Sequence, residues 1–196
     1  MSADPGAAAP PVIVNPLSGE RITIRPAGTG EDVLDWELVL APGGRVPSSH
    51  AHPEQEERFT VLDGRVRFRV GGRRITAAAG QTVTVPAGTV HHFANASDHP
   101  ARITVRTTPA LSMHALLQTA AALAQEQHAA ARRLPSPLAL ALFMRDFERE
   151  VRAPYLPAAL VRAVIRPAAW LASRAGLDGR YRRLRAPAGQ RTAQSR

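Results

Sequence analysis

The sequence predicts a mainly β protein, an antiparallel sandwich or barrel followed by a C-terminal α-helical extension. Three observations carry this expectation. Over residues 12–108 the chain is a series of short runs that alternate apolar and polar residues, broken by Gly and Pro. From Thr108-Pro109 onward the alternation gives way to Ala- and Leu-rich stretches with helical spacing. Charge divides at the same place. Residues 1–109 hold 11 Arg and 11 acids, whereas residues 110–196 hold 14 Arg and 5 acids and supply the whole net charge of +9.

Residues 1–11, rich in Ala and Pro, read as a disordered lead-in. Residues 12–108 hold the strands. Arg21-Ile22-Thr23-Ile24-Arg25 alternates, as do Val66, Phe68 and Val70 against Arg65, Arg67 and Arg69. Val83 and Val85 alternate with threonines, and Ile103 and Val105 with Arg102, Thr104 and Arg106. Asp63-Gly64 and Gly71-Gly72 are expected to punctuate hairpins. Residues 109–176 form the helical extension. Thr108 as N-cap with Pro109 at the first helical position is expected to open a helix reaching about Arg133. Ser136-Pro137 repeats that signature, with an apolar stripe of Leu140, Phe143, Met144, Phe147 and Val151. A third helix is expected from about 157 to about 176, burying Val161, Val164, Ile165, Ala168 and Leu171. Pro167, which has no N–H, should kink or split it. Residues 177–196, with a cluster of Arg, are expected to be a disordered basic tail.

At 196 residues, 44% hydrophobic and 21% charged, the chain suits one domain with an appendage and can bury a core. The absence of Cys excludes a disulfide scaffold, a thiolate metal site and a Cys nucleophile. All the cations are Arg and none is Lys, so the Arg count reflects a preference for that residue as much as a demand for charge. The first residues lack the basic and apolar regions of a signal peptide. The longest uncharged run, residues 107–125, is too polar for a membrane span, so the protein is expected to be soluble and cytoplasmic.

The chemistry concentrates between Gly44 and Asn95. His50-Ala51-His52 places two imidazoles on the same side of a strand, and Glu57 follows after four residues. Gly80, Pro86-Ala87-Gly88, His91 and Asn95 come later. Imidazole and carboxylate suit one divalent transition metal: Fe, Mn, Ni, Zn, Cu or Co. The spacing Gly44-x5-His50-x-His52-x4-Glu57-x6-Gly64 resembles the first motif of the cupin superfamily at every fixed position. Gly80-x5-Pro86-x-Gly88-x2-His91-x3-Asn95 resembles the second as completely, with fifteen residues between the two. The resemblance spans about 100 residues and implies a double-stranded β-helix, the jelly-roll barrel of the cupins. It also implies that His50, His52, Glu57 and His91 are metal ligands pointing into the barrel, and that the protein is a homodimer. The elements Pro-Leu-x-Leu at 137–140 and Phe-x-x-Glu-Val-Arg at 147–152 resemble the helical tail of a group of small bacterial cupins, which implies no activity.

Parity extends the site. If Glu57 faces inward, so do Phe59 and Val61; if His91 does, so do Phe93 and Asn95. With Phe68, Val83 and Val85 these positions are expected to line a largely apolar substrate pocket. His92 falls on the opposite face, His99, His114 and His128 are expected to be bystanders, and Glu54 and Glu56 to be solvated. No Ser-His-Asp set, phosphate-cradling loop or nucleotide fingerprint is present, which leaves metal-centred chemistry with Glu57 as proton acceptor. Four protein ligands leave two octahedral positions for an oxygen-chelating molecule. The expected function is a metal-dependent enzyme of dioxygenase, isomerase, lyase or cyclase type acting on a small oxygen-chelating, apolar or aromatic substrate. The alternative is a non-catalytic module that senses or sequesters such a ligand. The basic helices lack interleaved aromatics and any nucleic-acid motif, so nucleic acid is not expected as a partner. Their contact with a membrane surface is the less favoured use; packing as a cover on the barrel or a partner subunit is expected.

Overall fold

The computed structural model describes residues 11–25, 32–46, 49–130, 136–154 and 158–185. All but the last residue of the lead-in, the helix boundaries expected at Arg133 and 157, and the basic tail from 186 lie outside the described residues. Among the described residues nine strands form two sheets. They are β1 (Val12–Asn15), β2 (Glu20–Ile24), β3 (Leu34–Leu40), β4 (Glu56–Asp63), β5 (Arg65–Val70), β6 (Arg73–Ala78), β7 (Thr82–Val85), β8 (His91–Asn95) and β9 (Ala101–Thr108). The large sheet runs β1-β2-β3-β9-β4-β7 and the small one β6-β5-β8, with every pairing antiparallel.

Each strand with period-two alternation buries one parity. On β4 these are Glu57, Phe59 and Val61; on β8, His91, Phe93 and Asn95; on β9, Ile103, Val105 and Thr107. The other parity of the large sheet meets solvent, where Glu37 pairs with Arg25 and Arg102, and Asp35 with Arg106. Such exposed pairs stabilise a fold little. The core closes between the sheets: the ring of Phe59 on the large sheet stands 5.4 Å from Phe68 and 5.1 Å from Phe93 on the small one.

Gly71-Gly72 makes the expected hairpin. Val70 pairs with Arg73 across it, and both glycines take positive φ, 54° and 87°, as a two-residue turn requires. Asp63-Gly64 does not make a hairpin. Asp63 is still paired with Arg102 in the large sheet, whereas Arg65 already pairs with Ala78 in the small one. The dipeptide is a corner that carries the chain between sheets. The same turn chemistry serves both uses, and the strands on either side find non-local partners.

The extension departs from expectation in instructive ways. Thr108 does not cap a helix, because it remains in the ladder opposite Glu56. Sheet pairing overrides the local Thr-Pro signature. Helix α1 (Met113–Ala129) begins after Ser112, and α2 (Pro137–Asp146) begins with Ser136 and Pro137 as read from the sequence. The buried residues of α2 are not the single stripe expected. Leu140 is 44% exposed while Leu142 is fully buried. The cause is that α2 has two partners. Phe143 and Phe147 join the barrel core, whereas Leu138 and Leu142 pack with Ala169 and Tyr181 in a second cluster.

The third helical run comprises α3 (Ala158–Leu160), a π-helical turn (Val161–Ile165) and α4 (Arg166–Arg174). The N–H of Arg166 reaches the carbonyl of Val161, so the ladder widens just ahead of Pro167 instead of breaking. Val161 and Ala169 are buried, but Val164 and Leu171, expected on the same face, are 55% and 60% exposed. The expectation of disorder beyond 177 fails for α5 (Gly179–Leu184). Tyr181 is buried, its hydroxyl donates to Asp146 at 3.3 Å, and Arg180 and Arg185 pair with Glu126 and Asp146. One aromatic anchor with two acidic residues nearby, Glu126 and Asp146, suffices to dock a segment whose composition alone suggests none.

The extension also touches the barrel's edge. Helix α1 runs beside β1, the outermost strand of the large sheet, and the Gln125 side-chain amide donates to the Val14 carbonyl at 3.0 Å. Among the described residues no helix is long and apolar enough to cross a membrane.

Candidate metal centre

Backbone pairing brings the two halves of the site together. Residues 45, 46 and 50 bond to β8 on the side away from β5: Val46 N–H donates to Phe93 O at 3.1 Å, and His50 and His91 exchange two hydrogen bonds of 3.1 and 2.8 Å. The turn at Pro86-Ala87-Gly88 adds a third tie, since the Gly88 N–H donates to His52 O at 2.7 Å. The rings of His50, His52 and His91 therefore converge, with centroids 4.4 to 5.3 Å apart. One ring nitrogen of each lies within 4.8 Å of the others. Glu57 comes from the opposite sheet, and its Oε2 stands 3.2 Å from the Nε2 of both His52 and His91. Below the cluster lies Phe59, 6.1 Å from the His91 ring.

Hydrogen bonds at the far side of the rings set their chemistry. The Nδ1 of His52 faces the Glu150 carbonyl at 2.5 Å, and that of His91 faces the Thr89 carbonyl at 3.1 Å. A carbonyl only accepts, so each Nδ1 carries the hydrogen and donates it. In the neutral tautomer each Nε2 then presents its lone pair to the cluster. The Nε2 of His91 is buried without a hydrogen bond. Ligand atoms that share an ion at about 2.1 Å stand about 3.0–3.4 Å apart, the separation found between Glu57 and the two imidazoles. The residues fit a divalent transition metal. Neutral imidazoles with one carboxylate are its ordinary donors, and the orphaned nitrogen is the atom such an ion would satisfy.

Electrostatics agree. Burial alone would push the Glu57 carboxyl up, but the charge and hydrogen bond of His52, with His91 close beside it, hold it far below the usual carboxylate range. Burial likewise opposes charging of His52, yet the Glu57 charge, its hydrogen bond and the Glu150 carbonyl together raise the imidazole above its ordinary value. The Glu57 carboxylate thus favours a positive charge at His52. A metal that binds there displaces the proton, which couples binding to pH.

Of the other residues read from the sequence, Glu57 is buried and Glu56 exposed, so the carboxylate at the site is the one with the motif's spacing. Glu54 pairs on the surface with Arg149, and His92 turns away to meet Ser49 at 2.9 Å. The inward set Phe59, Val61, Phe68, Val83, Val85 and Phe93 is buried and packs together in the barrel core. The apolar side chains fill the barrel below the histidines and form a floor. Asn95 is also committed elsewhere: its Nδ2 reaches the carbonyls of Leu40, Ala41 and His99, and its Oδ1 accepts from Ser97 N–H. It clamps the loops at its end of β8.

Sequence reasoning missed three contributors. Trp36 Nε1 donates to the Thr107 hydroxyl at 3.1 Å, which in turn donates to Glu57 Oε1 at 3.5 Å. Extending the Ile103/Val105 parity by one step would have found Thr107. The third is the carbonyl of Glu150, a backbone group without a sequence signature.

The cupin domain model matches residues 36–106. Over 71 residues the chain is 32% identical to the polyketide synthase CurC of Streptomyces cyaneus, covering 36% of this chain and 46% of that protein. It is 33% identical over 60 residues to quercetin 2,3-dioxygenase of Bacillus subtilis, covering 30% of this chain and 18% of that one. The chain thus matches less than half the length of these curated relatives. Among solved structures it is similar to an RmlC-like cupin from Shewanella frigidimarina, with TM-score 0.46 and 16% identity over 54% of this chain and 88% of that one. It is also similar to a cupin-superfamily sugar phosphate isomerase from Silicibacter pomeroyi, with TM-score 0.44 and 26% identity over 52% of this chain and 67% of that one. Residues 36–106 of the chain match the cupin domain, and the two antiparallel sheets that hold them are those of the cupin fold.

Proposed function

We propose that this protein is a metal-dependent cupin enzyme acting on a small oxygen-chelating molecule with an apolar or aromatic body. The observation that carries the reading is the convergence of His50, His52 and His91, with Glu57 beside His52 and His91 and the buried His91 Nε2 lacking a hydrogen bond. A divalent transition metal bound there would supply a Lewis acid for the oxygens of such a molecule. His50 is half-buried whereas His52, His91 and Glu57 are buried, so a ligand would approach on the His50 side. Glu57 is ionised at neutral pH and accepts a hydrogen bond from Thr107, and it is the carboxylate beside His52 and His91. The apolar floor at Phe59 excludes water from beneath. One relative's name specifies a dioxygenase of quercetin, a hydroxylated aromatic ketone, and the other a polyketide synthase; both agree with an oxygen-rich ligand.

A second reading, a module that binds such a ligand without converting it, draws on a different observation. The expected pocket residues Phe59, Val61, Phe68, Val83, Val85 and Phe93 are buried and packed against one another in the core. Elemental analysis of the purified protein tests the metal in either case. About one divalent metal per chain is expected, lost in His52→Ala and His91→Ala variants that keep their far-UV circular dichroism. Stoichiometry that survives both substitutions means the ligand set is wrong. A catechol or β-diketone probe should perturb the visible spectrum of the cobalt-substituted protein. Turnover of the probe favours the enzyme, and binding without turnover the module.

A further inference from the structure

The two deep histidines are held by different parts of the chain. His91 Nδ1 finds its acceptor within the barrel, on Thr89 of its own loop, whereas His52 Nδ1 finds its acceptor on Glu150, in the extension. Contact between the extension and the His50-Ala51-His52 tripeptide does not stop there. Ala51 and Arg152 exchange two backbone hydrogen bonds, Ala51 N–H to Arg152 O at 3.0 Å and Arg152 N–H to Ala51 O at 2.8 Å. On its other side the tripeptide is bound to β8 through His50 and His91. The first-motif strand is therefore a middle strand, and the extension supplies its outer neighbour.

The supplying segment is itself anchored. Phe147 is 1% exposed within the barrel core, and the Glu150 carboxylate accepts from Ser112 N–H at 3.0 Å, tying the segment to the start of α1. Glu150 is thus fixed at both its side chain and its carbonyl, and the carbonyl faces a ring nitrogen that must carry hydrogen for the opposite nitrogen to ligate.

We propose that residues 147–152 are a positioning element of the metal centre, holding His52 in the tautomer and orientation that ligation needs, so that metal retention depends on the docked extension. The proposal rests on the metal reading above. The test keeps the full chain and measures cobalt(II) affinity by chelator competition, together with the visible cobalt spectrum and the stability of the metal-free protein. Arg152→Pro removes the N–H that bonds Ala51 O, and Glu150→Ala removes the tie to Ser112 without altering the barrel. Partners that orient a ligand from behind typically change metal affinity ten- to a hundredfold. Each variant is expected to fold and to lose about that much, with a shifted cobalt band. Ile103→Val, in the barrel core, should lower stability while leaving affinity and spectrum unchanged, which separates positioning from general loosening. If Arg152→Pro does not fold, Glu150→Ala decides. Folded variants with wild-type affinity and an unaltered cobalt band would overturn the proposal while leaving the metal site intact. A wild-type chain that binds no cobalt would overturn the metal reading itself, and this proposal with it.

Discussion

Phe147→Ala tests whether extension and barrel fold as one unit. Phe147 is 1% exposed, lies 5.0 Å ring to ring from Phe143, and belongs to the cluster that contains Phe59 and Leu38. Burying an aromatic side chain removes roughly 150–250 Å² from water, worth about 4–6 kcal/mol at about 25 cal/mol/Å². Reference to an extended chain makes this an upper value, and measured Phe→Ala costs are about 3–5 kcal/mol. Against a total of about 5–15 kcal/mol for an ordinary domain, such a loss shifts the unfolding midpoint by a fifth at the least. The two tryptophans provide the assay. Trp36 is buried in the large sheet and Trp170 is 55% exposed on α4, so in a Trp170→Phe background the fluorescence reports the barrel alone. Circular dichroism at 222 nm reports mainly the helices. In urea both signals should move together, before and after Phe147→Ala. Two separate transitions, or a variant in which only the helical signal shifts, would refute the single-unit reasoning.

The metal-free protein should be most stable between two limits. The raised His52 pKa contributes stability fully present below the ordinary value of 6.5 and lost as pH rises through the folded value. The depressed Glu57 pKa contributes stability present above about 4.5 and lost as pH falls through its folded value. Urea midpoints taken across pH should show both limbs, and bound metal should flatten the alkaline one; an alkaline limb unchanged by metal would count against His52 as a ligand. Asn95→Ala should cost at least about 2 kcal/mol, since unsatisfied buried groups cost about 1–3 kcal/mol each, while metal stoichiometry stays the same. An unchanged melting temperature would return Asn95 to a pocket role. Gly64→Ala should cost about 1–3 kcal/mol, because φ is 81° and a Cβ would stand 3.1 Å from the Ala101 Cα. A melting curve like the wild type's would mean the sheet-to-sheet corner is misdescribed.

The barrel was legible because period-two alternation maps directly onto burial, and Glu57, Phe59 and Val61 follow it without exception. β3 was equally legible and went unread, though Leu34, Trp36, Leu38 and Leu40 alternate cleanly. The meeting of Glu57 with His91 was readable because the motif spacings bring them together from opposite sheets. What resisted reading was set by non-local partners. Thr108 carries a cap signature, but its partner Glu56 lies fifty-two residues earlier in the chain and holds it in a sheet. α2 shows one plausible stripe, yet it is buried on two sides by elements whose placement local spacing does not encode. The role of Glu150 resides in a carbonyl that every residue possesses.

The large sheet ends at β1, where Val12 and Val14 are 45% and 36% exposed and the Val14 carbonyl is met by Gln125 of α1. A bare strand at a sheet margin offers unpaired amides and carbonyls to any passing chain, and apolar side chains beside them strengthen the invitation. Helix α1 therefore works as a shield against self-association as well as a structural neighbour. A premature stop after β9 would release a fragment with a sticky margin, prone to aggregate before its chemistry could matter. For the same reason the barrel is not a portable module: moving it into a fusion protein calls for α1 to travel with it, or for a charged residue or proline in β1 to blunt the margin in its place.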